Sequence, residues 1–394
     1  MEYNGIIITG TSGAGKSTIA KRLCETYKIF QIVQAVTTRT QRKDDITEQY
    51  LHITKEEFKK LEEEKKLLIK SEYMGESYGI TYEALQQVIN GRKIPLLITI
   101  PQSTHELEIG GDRKLYYLTV FLDAPDEMLD ERLKERGVEI SENIKKQRKN
   151  DREYIGDCLY RIKNLNSEDT TKLLHYLWHY RNIGGMLPKK IIELMIKCGM
   201  LLENANENNI QGASYDLTIG EEYFHKGEIK TLDDKKPFII MKAGDYILVS
   251  SKEIANLPRD IAGRFDITVG LFCKGVILSN GPQIDPGFRG KLFCLLFNTS
   301  SEKVQLKLGQ HFTTIEFDKL IEPTVPYKGT YQNKLQLKDY LPEIVKESAI
   351  NKIITDIEEL KKEKLLLKIL PLVLSSFAIL LSIIVVLLKL FGLI

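Results

Sequence analysis

Apolar residues follow three different rhythms along this chain. Near the N-terminus, Gly5-Ile6-Ile7-Ile8-Thr9 is a short β-branched run, the pattern of a buried strand. Ile19, Ala20, Leu23 and Cys24 then recur at helical spacing. Gln49-Tyr50-Leu51-His52-Ile53 predicts a short strand. Thr54 to Lys66 predicts a charged helix, capped by Thr54 with Glu57 completing a capping box, and its Glu/Lys face is a solvated surface. Thr81 to Asn90 is a second capped helix, Ile94 to Ile100 and Leu115 to Leu122 are core strands, and Asp126 to Arg136 is a helix rich in acid and arginine. Strands alternating with helices predict a parallel α/β sheet with ligands at the carboxyl ends of its strands.

A helix over Asp169 to Arg181 closes this part, and Ile183-Gly-Gly-Met-Leu-Pro188 reads as a linker. Lys189 to Met200 is helical by spacing. The period then shortens: Ile239 to Met241, Tyr246 to Val249 and Leu292 to Phe297 are apolar runs separated by Gly, Pro, Asn and Asp turns, an all-β module ending near Leu341. In the third rhythm, Ile350, Ile353, Ile357, Leu360 and Leu367 fall near a/d spacing among Lys and Glu. That pattern suits an amphipathic helix, either in a short coiled coil or lying on a membrane surface; Ile at both a and d favours more than two strands. Ile369 to Leu388 follows, twenty residues without a charge, long enough to cross a bilayer. Pro371 falls in its first turn. Lys361, Lys362, Lys364 and Lys368 precede the segment and only Lys389 follows, so the positive-inside rule keeps the N-terminal bulk in the cytoplasm. The expected parts are residues 1–182, a linker 183–188, a β domain 189–341, a stalk 342–368 and a transmembrane helix 369–391.

A chain of 394 residues exceeds one ordinary core, which agrees with this division. A net charge of +2 argues against general nucleic-acid binding. The five cysteines are scattered, with no C-x-x-C pair, which fits reduced thiols rather than a disulfide framework or zinc site. The N-terminus enters the first strand directly, leaving no room for a signal peptide. His225 and His311 are isolated and read as surface or packed residues.

Between the first strand and first helix lies Gly10-Thr-Ser12-Gly13-Ala-Gly15-Lys16-Ser17-Thr18. Strand, glycine loop and helix are the context that makes G-x-x-x-x-G-K-S a phosphate site. Glycines let backbone N–H groups approach phosphate oxygens, and the helix start adds positive potential. Lys16 can reach the β- and γ-phosphates of a bound nucleotide, and Ser17 can hold Mg²⁺ through its hydroxyl.

With Thr37-Thr-Arg39-Thr-Gln-Arg42, Tyr50, Met74-Gly-Glu-Ser-Tyr78-Gly79 and the stretch Arg132-Leu-Lys-Glu-Arg136-Gly followed by Arg148, the first part resembles the guanylate kinase family from about Gly5 to Arg181. The resemblance implies that Arg39, Arg42, Tyr50 and Tyr78 hold the phosphate of an acceptor nucleoside monophosphate, while Arg132, Arg136 and Arg148 close over the moving phosphoryl group. Phosphoryl transfer is mainly positioning and charge neutralisation, so arginine forks around an in-line path suit it. Arg148 falls one residue late, with Gln147 in the aligned place. The guanine-reading positions of the family align here with Ala35, Ile69, Ile80, Ile98 and Ile100, all apolar, so the base reader has lost its polar groups. The strand acid that helps place Mg²⁺ is missing, leaving Ser17 as its one obvious protein ligand. Three readings stay open: transfer to another nucleoside monophosphate, such as a deoxynucleotide or pyrimidine; nucleotide binding without efficient transfer; and retained use of guanine nucleotides.

The β module resembles the dCTP deaminase and dUTPase superfamily from about Met186 to Tyr340. The resemblance rests on Gly212-Ala-Ser-Tyr-Asp216-Leu-Thr-Ile-Gly220, Leu257-Pro-Arg-Asp-Ile-Ala-Gly263, Gln283-Ile-Asp285-Pro-Gly-Phe-Arg-Gly290, and Asn298 followed by Leu308-Gly-Gln. It implies a barrel-like domain, a trimer, and a nucleotide pocket drawing on Asp216, Asp285 and Gly290. The deaminase glutamate aligns with Leu295, and the serine- and arginine-containing phosphate loop with Ile267-Thr-Val-Gly-Leu-Phe272. Deamination needs a proton carrier, which leucine cannot be, so the expected role is oligomerisation or nucleotide sensing. The whole then reads as an anchored ATP-dependent nucleotide kinase. The alternative is an anchored nucleotide sensor acting at the membrane, for instance in defence against phage.

Overall fold

The computed structural model describes residues 3–41, 49–73, 75–104, 116–279, 281, 283–343 and 349–390. Its first domain is built on a five-stranded parallel sheet in the order β2-β7-β1-β8-β9: Phe30–Ile32, Ile94–Ile98, Tyr3–Gly10, Tyr116–Asp123 and Tyr160–Lys163. Central β1 carries Ile6, Ile7 and Ile8, each under 2% exposed, because a strand covered on both faces needs a continuous apolar run. A second sheet, β4-β3-β6-β5, joins Tyr50–His52, Ala35–Thr37, Glu76–Thr81 and Leu67–Tyr73. Its outer helix Lys55–Glu63 starts with the expected capping box: Glu57 N–H donates to Thr54 Oγ1, and Thr54 N–H to Glu57 Oε2 at 2.8 Å. Thr81 caps the helix Tyr82–Asn90 through Ala84 N–H.

The second domain is β-rich and antiparallel. Strands Arg289–Asn298, Tyr246–Asn256, Ser214–His225, His311–Lys319 and Ile261–Ile267 lie side by side in that order. The stretch expected as a linker is partly recruited into this sheet, with Gly185 and Met186 pairing Lys319 and Asp318. Buried apolar side chains run without a break from β1 through Trp178, Leu187 and Ile192 to Ile315 and Phe317. The two domains therefore share one core.

A short 3-10 turn, Leu337–Glu343, leads toward a 42-residue helix, Ala349–Leu390. Within it, Asp356–Val385 is long and apolar enough to cross a membrane, with a mean hydropathy of 2.3 in its most apolar window and none of that window buried. Pro371 lies well inside this helix and not in a first turn, because the charged a/d segment and the apolar segment form one continuous element. Its ring leaves the carbonyl one turn earlier without a helical partner.

Candidate functional site

The glycine loop takes the conformation its composition permits. Gly10, Gly13 and Gly15 have φ of 137°, 88° and 86°, the left-handed side that side chains avoid. A Cβ on Gly10 would stand 2.0 Å from the carbonyl oxygen of Leu122 on β8. The loop can therefore lie flat against the end of the sheet. Gly15 caps the helix Lys16–Thr26, whose first N–H groups stay free for an anion. Asn164 locks the loop from outside, its amide donating to Ala14 O at 2.8 Å.

Gly10, Ser12, Lys16, Ser17 and Thr18 line a cavity of about 500 Å³ together with Arg39, Tyr50, Tyr78 and Arg136. Lys16 Nζ donates to Gly10 O and Thr11 O at 2.8 and 3.0 Å. Burial pulls its pKa down to about 8; Asp151 opposes the shift and Arg136 adds to it. The guanidinium of Arg39 lies 5.3 Å from the Tyr50 ring centre, and Tyr50 meets Tyr78 edge-on at 6.3 Å. Three of the four expected acceptor-phosphate residues thus converge; Arg42 lies outside the described residues. Gly13 and Gly15 shape the loop without lining the cavity.

The lid arginines part company. Arg136 faces the cavity. Arg132 donates to Asn164 O at 2.8 Å, and Arg148 is buried and donates to Asp130 at 2.6 Å. Neither of these two lines the cavity. One turn after Arg148, Asp151 does line it, a carboxylate the sequence did not single out. Burial raises its pKa, against a hydrogen bond from Gln147 and the charge of Lys16. Asp123, at the end of β8, is engaged by Thr11, Arg152 and Arg161. Ser17 and Asp151 are hard oxygen donors in this cavity, the kind of sparse set that Mg²⁺ accepts when phosphates of a bound ligand complete its shell. Among the described residues no group of three or more could hold a metal by itself.

Ala35, Ile69, Ile80, Ile98 and Ile100 all line the cavity and make its wall rich in aliphatic side chains, with Ser71, Tyr73 and Thr99 among them. Gln49 lines it too, and the sequence reading missed it; its place next to Tyr50 in the short strand was the available signal.

In the second domain Asp285 lines a separate cavity of about 400 Å³ walled by Phe265, Phe288, Phe293, Tyr331 and Tyr340. Tyr331 and Tyr340 stack at 5.0 Å. Asp216 is not in this wall: it accepts from Thr314 Oγ1 at 2.8 Å and from Gln211. Gly290 sits where a Cβ would meet the Phe288 ring at 2.8 Å. Leu295 lies on the strand Arg289–Asn298, and Thr268 precedes the short helix Val269–Phe272. His225 is packed and approaches Asp245 at 3.4 Å, whereas His311 is exposed and bonds Asn209.

Comparison with known proteins gives two matches in tandem. The guanylate kinase family model matches residues 2–179, and the dCTP deaminase-like model matches residues 186–320. The dCTP deaminase of Pyrococcus furiosus is 36% identical over 143 residues, 36% of this chain and 90% of that protein. The dUMP-forming dCTP deaminase of Persephonella marina is 25% identical over 162 residues, 37% of this chain and 90% of that protein. The crystal structure of guanylate kinase from Anaplasma phagocytophilum covers 46% of this chain and 88% of its own, at 20% identity and a TM-score of 0.37.

Proposed function

Because this chain belongs to the guanylate kinase family in its first domain and to the dCTP deaminase-like family in its second, we propose that it is a membrane-anchored nucleotide kinase that moves the γ-phosphoryl of ATP to a nucleoside monophosphate. The observation that carries this reading is one cavity shared by Lys16, Ser17, Arg39, Tyr50, Tyr78, Arg136 and Asp151. Lys16 and the loop amides take the ATP phosphates. Arg39, Tyr50 and Tyr78 hold the acceptor phosphate, with Arg42 as a further candidate. Arg136 neutralises charge on the transferring group, and Arg132 and Arg148 brace the lid from behind. Mg²⁺ would be held by Ser17 and Asp151 with the ATP phosphates, and it supplies positive charge to the phosphate oxygens.

The second domain is a binding or assembly module. Leu295 cannot carry the proton that deamination moves, and the segment Ile267–Phe272 offers no guanidinium to a triphosphate. Val269 and Phe272, 74% and 63% exposed, present apolar surface suited to self-association, with a trimer as the expected assembly. The helix Ala349–Leu390 anchors the protein, with the bulk on the lysine-rich side. The test is full-length protein in detergent with ATP, Mg²⁺ and a panel of nucleoside monophosphates, and separately with dCTP. Diphosphate formation without dCTP deamination is expected. No transfer to any monophosphate overturns the kinase assignment, and deamination overturns the second.

One observation favours a sensing role beside catalysis. Tyr340, which lines the second cavity, belongs to the turn that leads toward the long helix. A nucleotide in that cavity would act on the chain's route to the membrane. Truncation after residue 343 should then abolish any membrane effect while leaving nucleotide binding intact.

A further inference from the structure

Tyr50, Ala35, Ile80 and Ile69 stand in register across β4, β3, β6 and β5, so their side chains share one face of the second sheet. Two residues along the strands, on the same face, come His52, Thr37, Tyr78 and Ser71. The row with Tyr78 belongs to the phosphate grip. In the other row Tyr50 belongs to the grip as well, while Ala35, Ile80 and Ile69 form an aliphatic wall that Ile98 and Ile100 extend. Gln49 enters at the Ala35 end of that wall. Its carbonyl accepts from Ala35 N–H at 2.9 Å, which ties its backbone to this row. The residue is 2% exposed and lines the cavity, and among the described residues its Nε2 has no hydrogen-bond partner. The nearby hydroxyl of Thr99 is already bonded to Thr104 at 3.0 Å.

A buried amide N–H left unpaired is costly, and one that lines a cavity is placed where a ligand's acceptor would satisfy it. An amide presents a donor and an acceptor side by side. The complementary ligand edge is a carbonyl next to a ring N–H. We propose that Gln49 reads this edge of a pyrimidine base, so that the acceptor is a uridylate- or thymidylate-type monophosphate. The assignment rests on the nucleoside monophosphate site proposed above. The isoleucines suit the apolar C5–C6 side of such a ring, including a C5 methyl. Guanine offers the same carbonyl/N–H edge, but its N2 amine and N7 add polar groups against a wall built mainly of isoleucine, and each one left unpaired costs roughly tenfold or more in affinity. Cytosine reverses the donor and acceptor order, so it is matched only if the amide turns end for end, away from the orientation in which its N–H is the group left open.

Calorimetric titration of the full-length protein with UMP, dTMP, CMP, GMP and AMP tests the assignment. UMP or dTMP should bind at least tenfold tighter than the purine nucleotides. Gln49→Leu should weaken UMP and dTMP about tenfold while ATP affinity stays unchanged. Gln49→Glu, close in shape and free of an amide donor, should move the preference toward CMP, and it carries the test if the leucine variant misfolds. A purine nucleotide as the best ligand, no monophosphate binding, or pyrimidine affinities within twofold of wild type in both variants would overturn it. Tight, Gln49-dependent pyrimidine binding without product formation would uphold it while sinking the kinase reading. Transfer that ignores Gln49 would do the reverse.

Discussion

Lys16 is half-buried, and its ammonium is satisfied by two loop carbonyls until a phosphate replaces them. Its pKa near 8 makes that exchange sensitive to pH. Bound phosphate restores the charged form, so ATP affinity should weaken as pH rises through this value, roughly fivefold between pH 8 and pH 9. Titrations across that range check it, and Lys16→Met should bind weakly with no such dependence. The depressed pKa also means that the folded chain holds fewer protons than the unfolded chain between about pH 8 and the ordinary lysine range near 10.5. This group's burden on stability is therefore present below pH 8 and lessens as pH rises through that window. A further residue-scale prediction concerns Asp151. Asp151→Asn keeps the hydrogen-bonding shape but removes a negative charge near Lys16, so it should lower phosphoryl transfer by about 10²-fold or more while leaving the fold intact. Transfer assays at saturating Mg²⁺ and circular dichroism separate the two effects.

At the scale of elements, the phosphate loop works because β1 and β8 are packed without a gap. Gly10→Ala places a methyl 2.0 Å from Leu122 O, against backbone that cannot yield. The cost should reach about 4 kcal/mol or more, at the severe end for a single substitution, and denaturant unfolding measures it. The helix Lys55–Glu63 is a contrasting case. Losing its capping box through Thr54→Ala should cost only about 1 kcal/mol and leave nucleotide binding alone, since the cap sits on an exposed helix end. These local features were legible from residue order: a capping box is written in four residues, and a glycine loop in nine. The destinations of the arginines were not. Arg132, one turn before Arg136, and Arg148, on the next helix, carry the same charge as Arg136, yet Asn164 and Asp130 claim them. Those partners come from packing between elements, which no local pattern encodes.

At the scale of the whole molecule, the domain junction holds a buried polar cluster. Asp260 of the second domain accepts from Tyr160 of β9 and lies 3.3 Å from Lys319 Nζ. Lys319 also donates to Arg181 O at 3.2 Å. Asp260 and Lys319 are 1% and 6% exposed, so each charge depends on the other. Burial drives the Asp260 pKa up, against the pull of Lys319. Lys319→Met should destabilise the protein by about 3–5 kcal/mol by stranding the carboxylate. In calorimetry it should also separate the unfolding of the two domains, which share a continuous core in the native protein. For the long helix, the full chain should float with lipid vesicles, and a chain ending at residue 343 should stay in solution. Flotation of the truncated chain would reject anchoring by that helix.

Residue order alone determined the succession of an α/β domain, a β-rich domain and a long apolar helix, because each is announced by a period of its own. It also determined that five positions which line the cavity carry aliphatic side chains, since that is a matter of residue type. Only the tertiary structure brought Asp151 and Gln49 to the same cavity as Lys16, across more than a hundred residues in one case and thirty-three in the other. Only the tertiary structure placed Asp216 away from Asp285 and merged the charged and apolar stretches after residue 348 into one helix. Chemical identity is carried by each residue on its own, whereas proximity arises when distant elements pack, and a cavity is made of proximity.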